Sequence, residues 1–272
     1  MILTADVVKF SKRNAFVLTL TSIVSIAGFL WPFLFTGSKL PHLQVFFMIA
    51  VALAFLLTAI EISNSTLDAK SIALLGVLAA LIAALRPLGA GAVGIEPMWF
   101  LLILCSRVFG PSFGFLLGMI SVFVSALLTG GLGPWLGYQV FAAAWIGLLA
   151  GLLPGRTTLR GKGEIALLAL FGVISAEIFG ILMDLQFWPW ALGGQTQLSY
   201  SSAASLHENI VHFFTFHFLS AMAWDIPRAL FTAGLILFAG SPVLHALRRA
   251  YVRAAFLTPI EFIEREKEQT AA

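Results

Sequence analysis

The chain has little charge and almost no cysteine. Only 11% of its 272 residues are charged, whereas about a quarter are charged in a typical soluble domain. The single cysteine, Cys105, excludes an intrachain disulfide. The phosphate-binding pattern GxxxxGK[ST] is missing, so ATP binding by this chain is not expected. Neither GxSG nor HExxH occurs, which argues against a serine or zinc protease of the usual signature.

The residues that are present are mostly apolar, at 60% of the chain with a mean hydropathy of +0.97. A helix needs about 20 apolar residues to cross a bilayer, and the sequence predicts an all-α integral membrane protein. Eight helices are predicted, of which the fourth is short for a full span: Ala15–Phe35, Val45–Ile62, Ser71–Leu85, Pro97–Phe109, Phe113–Thr129, Pro134–Leu153, Glu164–Leu185 and Met222–Ala239.

Basic residues are concentrated on one side of this predicted topology. With an internal amino terminus, eleven of those before the tail 254–272 fall inside, and only Lys39, Arg86 and Arg228 fall outside. Cytoplasmic loops carry an excess of Lys and Arg. The pattern therefore predicts a multi-pass protein of the cell membrane with both termini in the cytoplasm.

Three regions are predicted along the chain. Residues 1–68 form an extension with two transmembrane helices, 69–253 a six-helix core, and 254–272 a cytoplasmic tail with a short helix capped at Thr258. The extension has few polar candidates for a pocket, so we expect a peripheral hairpin. A shortened chain that begins near Ser65 is then expected to keep substrate affinity within about tenfold. The stretch 186–221 is predicted to be a long external loop, with a helix at His207–Phe218 lying at or dipping into the membrane.

Several segments resemble one transporter family. They are the small-residue helix SIALLGVLAALIAALR, the break RPLGAGAVGIEP, GGLGPWLGYQ at the start of the sixth helix, and WDIPRALFTA at the start of the last. Together they resemble the substrate-specific (S) component of energy-coupling factor (ECF) transporters. The amino-acid sequence of residues 86–154 is most similar to that of cobalamin-type S components.

The resemblance implies a membrane subunit that binds a vitamin, with a corrinoid as the best guess and another vitamin or precursor as the alternative. A transmembrane coupling (T) component and two ATPase subunits would supply the power. No cofactor and no nucleic-acid partner are expected. In this family a small-residue stripe on the first core helix contacts the coupling component. The matching positions are Gly76, Ala80 and Ala84, with Ala79 and Ala83 on the adjacent face, although the same stripe could pack the helix within its own bundle.

Charged and aromatic residues near the predicted outer side are the candidates for a pocket. Intramembrane carboxylates usually face a cavity or a partner, although a buried ion pair, a helix cap or an aromatic belt would also account for individual members. The predicted substrate-binding residues are Arg86, Glu96, Trp135, Tyr138, Gln139, Glu177, Asp184, Trp188, Asp225 and Arg228.

The histidines give little support for a metal site. His207, His212 and His217 recur every five residues, which turns a helix by about 140° at each step and spreads them around it. We therefore predict no metal site. Two functions of other classes stay open from the residues alone. One is an intramembrane enzyme, although the sequence offers no obvious nucleophile, and the other is a membrane scaffold.

Overall fold

The computed structural model describes residues 6–35, 43–63, 67, 69–89, 94–191, 196 and 198–254. Within these ranges the regular structure is helical, which confirms the predicted all-α fold. The α-helices are α1 Lys12–Leu34, α2 Leu43–Ser63, α3 Ala69–Leu85, α4 Met98–Phe109, α5 Pro111–Thr129, α6 Leu136–Leu152, α7 Lys162–Ala191, α8 Leu206–Phe216 and α9 Met222–Ala254.

Most of the helices are long enough to cross a bilayer or nearly so. Five helical stretches in the described ranges are long and apolar enough to cross a membrane, and the apolar parts of α2, α4 and α6 are shorter. Together they match the eight predicted segments. The 12 residues of α4 extend only about 18 Å at 1.5 Å per residue, which confirms that this segment is short.

The helix predicted at His207–Phe218 is confirmed, but the loop predicted around it is shorter than expected. Helix α7 continues to Ala191, and helical structure resumes at Leu206, where Ser205 accepts a hydrogen bond from the backbone N–H of Glu208 as a helix cap. Helix α8 then passes through a π turn at His217–Ala221 directly into α9. The loop was predicted from the polar residues between these two helices. The apolar residues on either side of them continue α7 and begin α8. The tail helix predicted at Thr258 lies outside the described residues.

Helices α5 and α6 lie against each other through glycines. A Cβ on Gly147 would overlap the backbone of Gly114, and a Cβ on Gly118 would overlap the carbonyl of Ala143. Removing these side chains lets two helices approach closely inside lipid. These glycines therefore serve packing within the bundle.

The two amino-terminal helices are not peripheral, contrary to our expectation. Phe29 of α1 packs edge-on against Tyr138 of α6 with ring centres 4.8 Å apart. The Tyr138 hydroxyl donates to the carbonyl of Gly28 at 3.3 Å, and the Trp145 indole donates to Ser22 at 3.1 Å. Helix α1 also contacts α7 and α8. Small and hydroxyl residues of α1 serve as packing and hydrogen-bonding partners for aromatic residues of α6, a role that a search for charged pocket residues overlooks.

One end of the bundle, here called the Arg107 end, is closed by ion pairs. Arg107 is 1% exposed; its Nε donates to Glu164 at 2.9 Å and its Nη1 to the carbonyl of Leu153 at 2.8 Å. Arg248 also donates to Glu164. Nearby, Arg156 pairs with Asp6. This is the end that the charge pattern predicts to be cytoplasmic.

Candidate functional site

The opposite end, here called the Arg86 end, has a segment that turns inward. Helix α4 begins at Met98, and its residues are almost all buried. Residues 94–97, here called the inward segment, lead directly into it. Gly94 has φ +70°, and a Cβ there would overlap the backbone of Trp224 and Arg228. Only glycine fits this left-handed, tightly packed position. The segment is therefore clamped against the start of α9.

A charged group, here called the gate cluster, joins this segment to α9 and consists of Glu96, Trp99, Asp225 and Arg228. The Trp99 indole donates to Glu96 Oε2 at 2.5 Å, and Arg228 Nε donates to the same oxygen at 3.1 Å. Arg228 also donates to Asp225 three residues earlier, a spacing that places both side chains on one helix face. The Arg228 guanidinium lies 5.1 Å from the ring centre of Phe179, as a cation–π contact.

A second charged group, here called the histidine cluster, lies beside the gate cluster and consists of Glu177, Asp184 and His217. His217 is fully buried; its Nδ1 lies 2.6 Å from Asp184 and its Nε2 lies 2.9 Å from Glu177. Glu177 and Asp184 therefore share one face of α7, as their spacing of seven predicts. Glu177 and Asp225 also line a largely apolar groove of about 510 Å³ between α7 and α9.

Aromatic rings cover the carboxyl-terminal part of α7 in a group here called the aromatic lid, which consists of Trp31, Phe33, Trp188, Tyr200 and Phe213. Trp188 is fully buried and donates to the carbonyl of Leu198 at 2.6 Å. Its ring packs against Tyr200 and Phe213 with centres 5.6 and 5.4 Å apart. Burial raises the pKa of the Tyr200 phenol above its usual value, so Tyr200 carries a neutral hydroxyl. The lid connects α1, α7, α8 and the segment before α8.

The remaining predicted pocket residues lie at the start of α6. Arg86 donates to Gln139 at 2.8 Å, which joins the short turn after α3 to this helix. Tyr138 is buried against α1, so it faces packing partners. Trp135 is 44% exposed, as a residue of an interfacial aromatic belt would be.

The small residues of α3 divide into two sets. Ala79 and Ala83 are 1% and 0% exposed and pack within the bundle. Gly76, Ala80 and Ala84 are exposed, and a Cβ on Gly76 would meet no atom within 4 Å among the described residues. The structure thus separates an inward-facing pair from an outward-facing stripe that lies open for contact.

Sequence reasoning found most charged members of these clusters but missed the role of His217. The five-residue spacing of the histidines drew attention to a metal site within one helix. The partners of His217 lie instead on α7, 33 and 40 residues earlier. The available signal was the pairing of Glu177 with Asp184, since two carboxylates on one intramembrane face require a positive or hydrogen-bonding partner.

Comparison with protein families identifies the type of protein. The sequence model of the family described as ECF-type riboflavin transporter, S component, matches residues 66–249. The chain belongs to this family. It is therefore a vitamin-transporter subunit and not an enzyme. The match covers the six predicted core helices and leaves out α1 and α2. No curated protein and no solved structure matches the chain. The family description names riboflavin and gives no support to the cobalamin-type specificity that the sequence predicted.

Proposed function

We propose that this S component captures its vitamin at the Arg86 end and delivers it through a T component and two ATPase subunits. The observation that carries the proposal is a pair of polar contacts at this end, which join Arg86 to Gln139 of α6 and Glu96 to Arg228 of α9. The proposed binding site lies beside these contacts, between the gate cluster and the aromatic lid.

A flavin is the substrate that we favour. The family description names riboflavin, and the aromatic lid offers ring faces on which a flat conjugated ring could stack. The lid rings pack directly on one another, so a ligand has to separate them. A flavin is a slab one ring thick and requires less separation than a corrinoid. A corrinoid is the competing substrate, because the sequence of residues 86–154 resembles S components of that type.

The experiment is a calorimetric titration of the purified full chain with riboflavin, cobalamin and cobinamide. We expect heat with riboflavin and quenching of its fluorescence, because stacking on Trp188 or Tyr200 would quench the flavin. Heat with a corrinoid and none with riboflavin would assign the competing substrate. Mass spectrometry of small molecules that co-purify with the chain would identify any other vitamin that it binds. If the chain retains and binds none of these compounds, the capture proposal is wrong.

We further propose that the T component docks on the outward stripe of Gly76, Ala80 and Ala84. Small side chains let a partner helix come close in lipid, where dispersion contacts replace the hydrophobic effect as the attraction. These three residues are exposed, and larger apolar residues flank them, among them Val77 at 67% and Leu81 at 49% exposure. The stripe is therefore a shallow groove with an apolar rim. Since the chain lacks a phosphate-binding loop, energy from ATP has to arrive through such a contact.

A further inference from the structure

We propose that His217, Glu177 and Asp225 form a binding site for a first-row divalent cation of the zinc type. The three residues each offer one ligand atom, and these atoms lie within 4.8 Å of one another. They come from α7, the π turn and α9, so a bound cation would connect three elements at the Arg86 end. Asp225 also belongs to the gate cluster, so this cation site adjoins the vitamin site proposed above. Neither proposal depends on the other, because cation binding and vitamin binding are measured separately.

The geometry around His217 is that of a metal-binding histidine with its orienting carboxylate. Asp184 lies 2.6 Å from Nδ1, which leaves Nε2 directed at Glu177, 2.9 Å away. Histidine ligands commonly donate their second ring N–H to a carboxylate, which fixes the tautomer and the ring orientation. Atoms bound to one tetrahedral zinc at about 2.1 Å lie about 3.4 Å apart. His217 Nε2 and Glu177 Oε1, now 2.9 Å apart, would have to separate by about 0.5 Å. Any pair at the 4.8 Å limit would have to approach by about 1.4 Å.

An unpartnered carboxylate oxygen supports the site independently. Asp225 is 3% exposed, and its Oδ2 has no hydrogen-bond partner among the described residues, although Oδ1 accepts from Arg228. Asp225 lines the groove between α7 and α9 together with Glu177. A buried carboxylate oxygen without a partner is costly, and a cation at this place would satisfy it.

The charge balance points the same way. Four carboxylates lie in the gate and histidine clusters, on Glu96, Glu177, Asp184 and Asp225. The positive groups facing them are Arg228, Arg86, which acts on Glu96 from a distance, and His217 when it is protonated. Negative charge therefore exceeds positive charge even with a protonated histidine. An unbalanced charge within a membrane is expensive, so extra protons or a cation must compensate it.

The donor set and the backbone select the class of cation. One imidazole nitrogen with two carboxylate oxygens suits zinc and its first-row neighbours, whereas calcium and magnesium prefer oxygen ligands alone. His217 is also the first residue of the π turn, and π turns occur frequently at functional sites. The turn brings the His217 ring toward α7, where Glu177 and Asp184 lie.

The test is cation binding by the purified full chain, stripped with chelator and freed of any affinity tag. Cobalt(II) serves as the spectroscopic probe, because its visible absorption reports nitrogen and oxygen ligands, and zinc competes for the same site. We expect one equivalent of cobalt, a saturable rise in melting temperature, and loss of both with His217→Gln or Asp225→Asn. Asp184→Asn should weaken binding by about 10–100-fold, because Asp184 orients the ligand without touching the cation.

Controls separate this site from chance binding and from misfolding. Glu177 has a side chain that is 43% exposed, so Glu177→Gln should keep the fold and still remove the signal. His207→Gln and Glu208→Gln change exposed residues of the same types on α8 and should leave binding intact. The proposal is overturned if the unchanged chain binds neither metal, because protons alone then balance the charge. Binding that survives Glu177→Gln and His217→Gln, or that is lost with His207→Gln, also overturns it. No vitamin is needed, so failure here leaves the capture proposal unaffected.

Discussion

Replacing Arg228 by methionine should strongly lower the free energy of unfolding, although the new side chain still fills most of the space of the old one. Arg228 is 7% exposed and serves two carboxylates, Glu96 on the inward segment and Asp225 on its own helix. Methionine fills a similar volume but donates no hydrogen bond. Asp225 then has neither oxygen paired, since its Oδ2 already lacks a partner among the described residues.

The magnitude follows from what the substitution leaves behind. Breaking a buried ion pair by removing one partner costs about 3–5 kcal/mol, because the other charge stays buried and uncompensated. The lost contact with Phe179 adds about 0.5–2 kcal/mol. Replacing both members of a buried pair by neutral groups is often close to neutral. Arg228→Met combined with Asp225→Asn should therefore recover most of the loss.

The assay is denaturant unfolding of the purified chain in mixed micelles, with chelator present so that bound metal does not contribute. The four chains of the cycle are the original, the two single variants and the double variant. We expect Arg228→Met to lower the free energy of unfolding by at least about 3 kcal/mol. A loss below about 1 kcal/mol, which is the value of an exposed pair, would refute the reasoning. So would a double variant that is no more stable than Arg228→Met.

Three further predictions follow. Gly147→Ala should lower the melting temperature, because its Cβ would meet the backbone of Gly114, whereas the matched change Gly76→Ala meets no described atom and should add up to about 1 kcal/mol of stability. Ala80→Trp should abolish uptake, because the large ring blocks the docking surface, while vitamin binding by the isolated chain persists. Normal uptake would exclude the stripe as the docking surface. The control Ala83→Trp should prevent folding, because Ala83 is buried. A shortened chain that begins at Ser65 should lose more than about tenfold in vitamin affinity or aggregate. It lacks Phe29 and Phe33, which cover Tyr138 and Trp188. Calorimetry measures the affinity, and gel filtration detects aggregation.

The sequence predicted the helices well because their signals are local. Each apolar run is continuous, and glycine or proline marks many of the boundaries, as at Gly110 between α4 and α5. Helix α7 extends beyond the predicted end at Leu185, through Trp188 and Pro189, which the prediction places in the loop 186–221. Proline is unfavourable in a soluble helix, but neighbouring helices in a membrane can satisfy the backbone groups that it frees.

The candidate site was only partly predictable. The Arg228–Asp225 pair is a contact three residues apart on one helix, so its spacing is visible in the sequence. The contacts from Arg228 to Glu96 and from His217 to Glu177 join distant helices, and only the three-dimensional packing brings them together. The exposure of Ala80 and the burial of Ala83 differ for the same reason. Both are small residues on α3, and the neighbours that cover one of them are not encoded locally.

The closed Arg107 end has a consequence for how cargo leaves. Arg107 caps the carbonyls of Leu153 and Pro154, and Val7 and Val8 are buried where the backbone N–H of Val7 donates to the carbonyl of Phe109. A subunit that is closed at this end cannot release its cargo there. Cargo admitted at the Arg86 end would then return through the same mouth, and the whole subunit would have to reorient for that mouth to face the cytoplasm.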